Sequence, residues 1–87
     1  MNASSKRGNN PALWDKLLGA LDEKLQLGLL DYLKRINSYH FEDNILTIQP
    51  ASTEDETYLR KTAVFHQLQL FAQDATAVEK VIIEKCP

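Results

Sequence analysis

The side chains in this sequence that could ligate a metal or act as a nucleophile are few and far apart. They are His40, His66 and Cys86, and no two of them have the short spacing that places metal ligands side by side. A reactive thiolate at Cys86 would need nearby positive charge, and Lys85 is its only basic neighbour in the sequence. We therefore expect no metal, no cofactor and no reactive thiol.

Acidic residues occur in three groups, Asp22–Glu23, Glu42–Asp43 and Glu54–Glu56. General acid–base catalysis needs two carboxyl groups in different environments that face one cleft. These groups fall instead at a predicted helix end, a turn and a helix start, where each has a structural reason to occur. A chain of 87 residues also has little room for a substrate pocket. We therefore expect no enzymatic activity.

Phosphate and nucleic-acid sites are not indicated either. The glycines Gly8, Gly19 and Gly28 form no glycine-rich phosphate loop. The basic pairs are scattered over different parts of the chain, at Lys6–Arg7, Lys34–Arg35 and Arg60–Lys61. The formal charge is −2, so no overall positive field attracts nucleic acid or anionic lipid. We expect weak nucleic-acid binding at most, and no membrane binding.

The remaining candidates for function are apolar and acidic residues that could bind another protein. Trp14 lies in the first turn of a predicted helix and suits either the core or the surface, whereas Leu29 lies off the main apolar stripe of the next helix. Asp22 and Glu23 would add an acidic rim, which attracts a basic partner. We predict a partner-binding surface formed by Trp14, Asp22, Glu23 and Leu29.

The elements that must position these residues follow from the spacing of apolar side chains. Helical spacing predicts three α-helices, and alternation or a β-branched run predicts three strands. Asn10-Pro11 and Thr53–Glu56 are typical helix starts, the second as a capping box. In chain order the predicted elements are helix 11–25, helix 27–37, strands around Tyr39–Phe41 and Leu46–Ile48, helix 53–73 and strand 78–83.

This order, α-α-β-β-α-β, predicts an α+β fold in which a three-stranded sheet packs against helices on one face. The last strand follows a helix and should therefore run parallel to the second strand. Residues 11–87 would form a single interaction domain. The expected core is Leu17, Leu21, Leu30, Leu33, Phe41, Leu46, Ile48, Phe65, Leu68 and Ile82.

The first ten residues differ in composition from the rest of the chain. Residues 1–10 are mostly polar, so we expect a flexible leader or linker. They contain no apolar stretch of the kind that secretory signals carry. With a single cysteine in the chain, we expect a cytoplasmic protein without disulfides.

Short motifs then suggest a family. Leu13-Trp14, Tyr32-Leu33-Lys34 and Glu42–Ile48 resemble the small KH-like domains of bacterial replication proteins, over about residues 12–84. Two families share this plan. One is a domain in the C-terminal region of the γ/τ clamp-loader subunit of DNA polymerase III, and the other is the N-terminal domain of the replication initiator DnaA.

Three departures from the DnaA pattern favour the γ/τ domain. Tyr32-Leu33 stands where DnaA domains carry a second Trp, Pro50–Glu54 replaces their Pro-Asn-x-Phe segment, and a longer leader precedes Trp14. A γ/τ-like domain implies a tethered module that helps to organise polymerase, helicase and clamp loader. A DnaA-like domain implies self-association and helicase recruitment. In neither family does this domain hydrolyse ATP. A weak KH-like nucleic-acid-binding module is a third alternative, although the GxxG loop of KH domains does not occur here.

Overall fold

A computed structural model describes residues 8–87, which form four helices and a mixed three-stranded sheet. The α+β class is therefore confirmed. None of the helices in this part of the chain is long and apolar enough to cross a membrane. The helices are α1 (Pro11–Glu23), α2 (Leu27–Lys34), α3 (Thr53–Arg60) and α4 (Thr62–Thr76), and the strands are β1 (Ser38–Glu42), β2 (Ile45–Gln49) and β3 (Lys80–Ile83).

The two predicted helix starts are close to those observed. The Asn10 side chain accepts a hydrogen bond from the Leu13 backbone N–H at 3.2 Å, and a proline occupies the first turn of α1. At α3 the capping residue is Ser52, whose Oγ accepts from the Asp55 N–H at 3.2 Å. The capping box predicted at Thr53–Glu56 is therefore wrong by one residue, because Ser52 provides the cap.

The helix predicted over residues 53–73 is wrong as a single element, because the chain changes direction at Lys61. This residue has extended backbone, with φ −61° and ψ 136°. Its N–H donates to the Tyr58 carbonyl at 3.2 Å, and its carbonyl accepts from the Phe65 N–H at 2.8 Å. Lys61 therefore ends α3 and begins α4. The break allows α3 to pack on β3 while α4 packs along α1.

The sheet has the predicted topology, with strand order β1-β2-β3. β1 and β2 form an antiparallel hairpin, and β3 runs parallel to β2. Asp43 and Asn44 connect the hairpin with positive φ angles of 53° and 62°. Two consecutive left-handed residues match the right-handed twist of the flanking strands, and Asn and Asp tolerate that conformation.

One face of the sheet is covered by helices and the other is open. Leu46 pairs with Val81 and Ile48 pairs with Ile83 on the covered face, and all four side chains are buried. Ile82 alternates to the open face, where it is 39% exposed. Its predicted core position is wrong, because a run of three β-branched residues does not show which of them face the helices.

The helices and the covered sheet face enclose one core. Phe41 and Phe65 are partly buried against it rather than inside it. The predicted core positions that the structure confirms as buried are Leu17, Leu21, Leu30, Leu33, Leu46, Ile48 and Leu68.

Candidate functional site

The structure does not bring the three candidate metal or nucleophile side chains together. His40 lies exposed on the open sheet face beside Glu42, with 3.1 Å between Nε2 and Oε1. His66 is exposed on α4, and Cys86 lies near the C-terminus with its sulfur 3.3 Å from the Thr53 hydroxyl. Residues 8–87 contain no group of three His, Cys, Asp or Glu side chains arranged to hold a metal ion.

Arg35 joins α2 to α3 rather than lying available for a phosphate. Its guanidinium makes two hydrogen bonds to Asp55, at 2.9 and 3.1 Å, and it lies 4.2 Å from the centre of the Tyr32 ring. The hydrogen bond to Asp55 is the main cause that raises the pKa of Arg35. Tyr32 in turn stacks on Tyr58, with ring centres 3.8 Å apart. This cluster links the end of α2 to α3.

Arg60 is likewise engaged within the fold. Its Nε donates to Glu56 at 2.9 Å and its Nη2 donates to the Ile83 carbonyl at 2.7 Å. Glu56 also accepts from the backbone N–H of Cys86 at 3.0 Å, which is the main cause that lowers the pKa of Glu56. The carboxylate and the guanidinium thus hold the C-terminal segment on α3.

Two of the four residues predicted for partner binding are buried. Trp14 is 4% exposed and stacks on Tyr39, with ring centres 4.4 Å apart and planes 6° from parallel. Leu29 is also 4% exposed. A docking residue must be accessible, so the structure supports the core interpretation of Trp14. Asp22 and Glu23 are exposed at the end of α1, as predicted.

The exposed apolar side chains lie instead at the connection between α1 and α2. Leu25 and Leu27 are 76% and 51% exposed. They form one wall of a groove of about 310 Å³, together with the backbone between them and the buried Leu29 beneath. We call it the Leu25 groove. Its opposite wall is formed by Tyr58, Ala63, Val64 and Gln67.

Leu25 occupies an unusual backbone position for a large side chain. The Leu25 N–H donates to the Asp22 carbonyl at 3.0 Å and the Gln26 N–H donates to the Leu21 carbonyl at 2.8 Å. These two bonds are the Schellman motif that ends a helix, and its left-handed residue is usually glycine. Leu25 has a φ of 60°. The chain therefore holds an exposed leucine where glycine would be less strained.

The apolar surface continues along α4. Gln67 also borders a second hollow of about 250 Å³ with Leu70, Phe71 and Asp74. Leu70 is 47% exposed, whereas Phe71 is partly buried. The Leu25 groove and this hollow are thus adjacent. Together they bring to the surface a set of leucines from two parts of the chain.

Carboxylates occur next to both parts of this surface. Asp22 and Glu23 immediately precede the α1–α2 turn, and Asp74 borders the hollow on α4. One basic residue, Lys24, separates Glu23 from Leu25. The surface is therefore apolar in the middle and mainly acidic at its ends, which matches the usual anatomy of a docking interface.

Comparisons of the chain with known protein families, with curated proteins and with solved structures found no match. Sequence reasoning missed Leu25 and Leu27 because helical periodicity assigned them no exposed role. A signal was nevertheless present in the sequence. Leu25 and Leu27 flank Gln26 at the junction of the two predicted helices, where polar turn residues are usual.

Proposed function

We propose that this chain is a non-catalytic docking domain that binds an apolar, helical segment of a partner protein in the Leu25 groove. The observation that carries the proposal is Leu25, which is 76% exposed in left-handed backbone. Neither folding nor solubility favours a leucine there, since glycine would relieve the strain and a polar residue would suit the solvent. Strained residues of this kind concentrate at binding and catalytic sites.

A helix is the partner element that fits this surface best. The groove is open and lies between the α1–α2 turn and the start of α4. Amphipathic helices bind such grooves with apolar residues three or four positions apart. The carboxylates Asp22, Glu23 and Asp74 favour a partner helix with basic flanks, and they would speed its encounter with the groove.

The proposed biological setting comes from the resemblance to bacterial replication proteins. It favours a cytoplasmic, tethered module of the γ/τ clamp-loader subunit of DNA polymerase III, with polymerase or replicative helicase as the partner. A DnaA N-terminal domain, which self-associates and recruits helicase, is the alternative within the same class. In both settings the domain contributes binding and no chemistry of its own.

Nucleic-acid binding is the alternative of another class, and the contacts of two arginines weigh against it. Arg35 is bound to Asp55, and Arg60 is bound to Glu56 and to the Ile83 carbonyl. The pairs Lys34–Arg35 and Arg60–Lys61 thus each contribute one arginine to the fold itself, and Lys6–Arg7 lies outside the described residues. Binding to phosphates depends on cationic side chains that displace the counterions condensed on the nucleic acid, and these two arginines already face protein partners.

The test is an NMR titration of the labelled chain with polymerase subunits, with replicative helicase and with single-stranded and duplex DNA. We expect shifts confined to the Leu25 groove and the adjacent hollow when the protein partner is added. The double variant Leu25→Ser/Leu27→Ser should lose the interaction. Ile82→Ser, which removes an exposed isoleucine from the open sheet face, should retain it and is the matched control.

Two outcomes would contradict the proposal. One is micromolar DNA binding at a salt concentration where the Debye length is about 8 Å, with no response to either protein. The other is partner binding that Leu25→Ser/Leu27→Ser leaves intact while Ile82→Ser abolishes it, since that result would place the site on the open sheet face.

A further inference from the structure

The hydroxyl of Tyr58 is a polar atom in a groove whose walls are mostly apolar. Tyr58 lies beside Ala63 and Val64 in the wall of the Leu25 groove that faces the two exposed leucines. Within residues 8–87 its hydroxyl has no hydrogen-bond partner, although the ring itself packs against the core. The fold therefore uses the ring of Tyr58 and leaves its hydroxyl unpaired in the groove.

The ring that carries this hydroxyl is held in place by other side chains. Tyr32 stacks on it, with ring centres 3.8 Å apart and planes 12° from parallel. The Arg35 guanidinium lies 4.2 Å from the centre of the Tyr32 ring, and two hydrogen bonds to Asp55 hold that guanidinium. These three residues border a different hollow of the surface. The hydroxyl thus has a fixed position in the groove before a partner binds, which lowers the entropy cost of binding.

Gly28 leaves the space next to this hydroxyl open. A Cβ at Gly28 would be 3.7 Å from the Tyr58 hydroxyl oxygen, which is an ordinary van der Waals contact. Gly28 lies within α2 and has no positive φ, so alanine would fit there and would suit the helix better. Gly28 also lines the Leu25 groove. The fold does not require glycine at this position, whereas the close approach of a partner backbone through the groove would.

We propose that the Tyr58 hydroxyl selects among partner helices, a role that rests on the docking function proposed above for the Leu25 groove. The hydroxyl pairs with a small hydrogen-bonding residue, such as serine, on the apolar face of the partner helix where that helix crosses Gly28. A few well-placed polar groups in an apolar pocket fix the orientation of what binds there. A helix that is apolar at this position covers the hydroxyl without pairing it, and a buried unpaired hydroxyl is unfavourable. The groove therefore discriminates against such helices.

The chemistry of the partner segment follows from these contacts. Large apolar residues three or four positions apart face Leu25 and Leu27, as in other helices that bind in grooves. One small polar residue interrupts them over Gly28. Basic residues flank the segment, because the carboxylates next to the surface are those of Asp22, Glu23 and Asp74. The partner is thus an amphipathic, basic-flanked helix with a single hydrogen-bonding residue on its apolar face.

The test is a selection from a displayed library of amphipathic helical peptides. Each peptide has leucines at helical spacing and lysines at both ends, and one apolar position at a time is randomised. The unsubstituted chain should select serine, threonine or asparagine at one apolar position. Tyr58→Phe keeps the ring and its stack but removes the hydroxyl, so it should select leucine or alanine there. It should also bind the serine peptides about tenfold more weakly, as expected for one lost hydrogen bond at a site without water.

Two further variants control for the stack and for the space beside the hydroxyl. Tyr32→Phe is the matched control, because it removes a hydroxyl from the other ring of the same stack, outside the Leu25 groove. It should select the same peptides as the unsubstituted chain. Gly28→Ala places a methyl group beside the Tyr58 hydroxyl, and it should bind the serine peptides more weakly. Circular dichroism would verify that all the variants are folded.

Binding to Leu25→Ser/Leu27→Ser separates the role of Tyr58 from the docking function itself. If the library yields no binder, or only peptides that this double variant still binds, docking in the groove is contradicted. If the peptides bind in the groove but Tyr58→Phe selects the same residue types, the selective role of the hydroxyl alone is overturned. Altered selection by Tyr32→Phe would also overturn it, because the stack and not the Tyr58 hydroxyl would then determine which helices bind.

Discussion

The two ends of α1 use apolar side chains in opposite ways. At the N-terminal end Trp14 is 4% exposed and stacks on Tyr39. Directly after the C-terminal end Leu25 is 76% exposed, in a left-handed conformation that leucine adopts at a cost. One end of the helix is thus optimised for folding, and the other carries strain and exposed apolar area.

This contrast indicates how the chain separates stability from binding. Removing a buried ring removes packing that nothing else replaces, whereas an exposed side chain contributes little to the free energy of unfolding. A docking surface made of exposed side chains at a helix end can therefore change without loss of the fold. The following predictions test that separation, beginning with the buried end.

Trp14→Ala should cause the largest loss of stability, about 3–5 kcal/mol, because it leaves a cavity beside Tyr39. Chemical denaturation monitored by circular dichroism would measure it. Trp14→Phe is the control. The indole N–H is buried and finds no hydrogen-bond partner within the described residues, so the smaller ring should retain most of the stability. A loss below about 1 kcal/mol in Trp14→Ala would contradict the core role of this end.

Leu21→Ala should destabilise the domain by about 2–5 kcal/mol, since this leucine is fully buried. It lies one turn before Leu25, and its carbonyl accepts the Gln26 N–H of the helix end. Denaturation curves of this variant show whether the part of α1 that stabilises the fold extends as far as Leu21. A curve like that of the unsubstituted chain would mean that this part ends closer to Trp14.

Leu25→Gly should make the domain more stable by about 1 kcal/mol, because glycine adopts the left-handed conformation without strain. The same variant should bind the protein partner more weakly, since the exposed side chain is gone. Denaturation and titration of the one protein measure both effects. Lower stability in Leu25→Gly would show that the leucine serves the fold, and the contrast between the two ends of α1 would fail.

Glu56→Gln should have the smallest effect, a slight loss of stability at neutral pH that disappears in acid solution. The Cys86 N–H lowers the pKa of Glu56 in the folded state. Such a carboxylate contributes stability above its unfolded pKa, and this contribution is lost as the pH falls through the folded pKa. The variant should therefore show a flatter decline of unfolding free energy below pH 4.5. Identical acid profiles would contradict this.

Much of the fold could be predicted from the sequence, because local signals agree with it. Asn10-Pro11 marks the start of α1, Asp43-Asn44 marks the hairpin turn, and the β-branched run marks β3. The break at Lys61 could not be predicted, since neither Gly nor Pro occurs between residues 51 and 86. The break belongs to the tertiary packing, in which α3 contacts β3 while α4 packs along both α1 and β3, and such packing overrides local propensity.

The candidate site was harder to predict than the fold. Asp22 and Glu23 were placed correctly on the surface, but Trp14 and Leu29 are buried. Trp14 is covered by Tyr39 of β1, and the left-handed turn at Leu25 changes the direction of the chain and so affects which leucines of α2 face the core. Apolar periodicity is read within one helix, so it carries no information about the angle between two.

The pairing of β3 with β2 also has a consequence for how the chain folds. The β1–β2 hairpin closes through a two-residue turn, a step that takes microseconds. In contrast, Ile45 pairs with Lys80, and that contact forms only after the intervening helices have brought β3 back to the sheet. Non-local contacts of this kind slow folding. The hairpin therefore forms before β3 is added to the sheet. Until then, the edge of β2 that pairs with β3 is open to pairing with other chains.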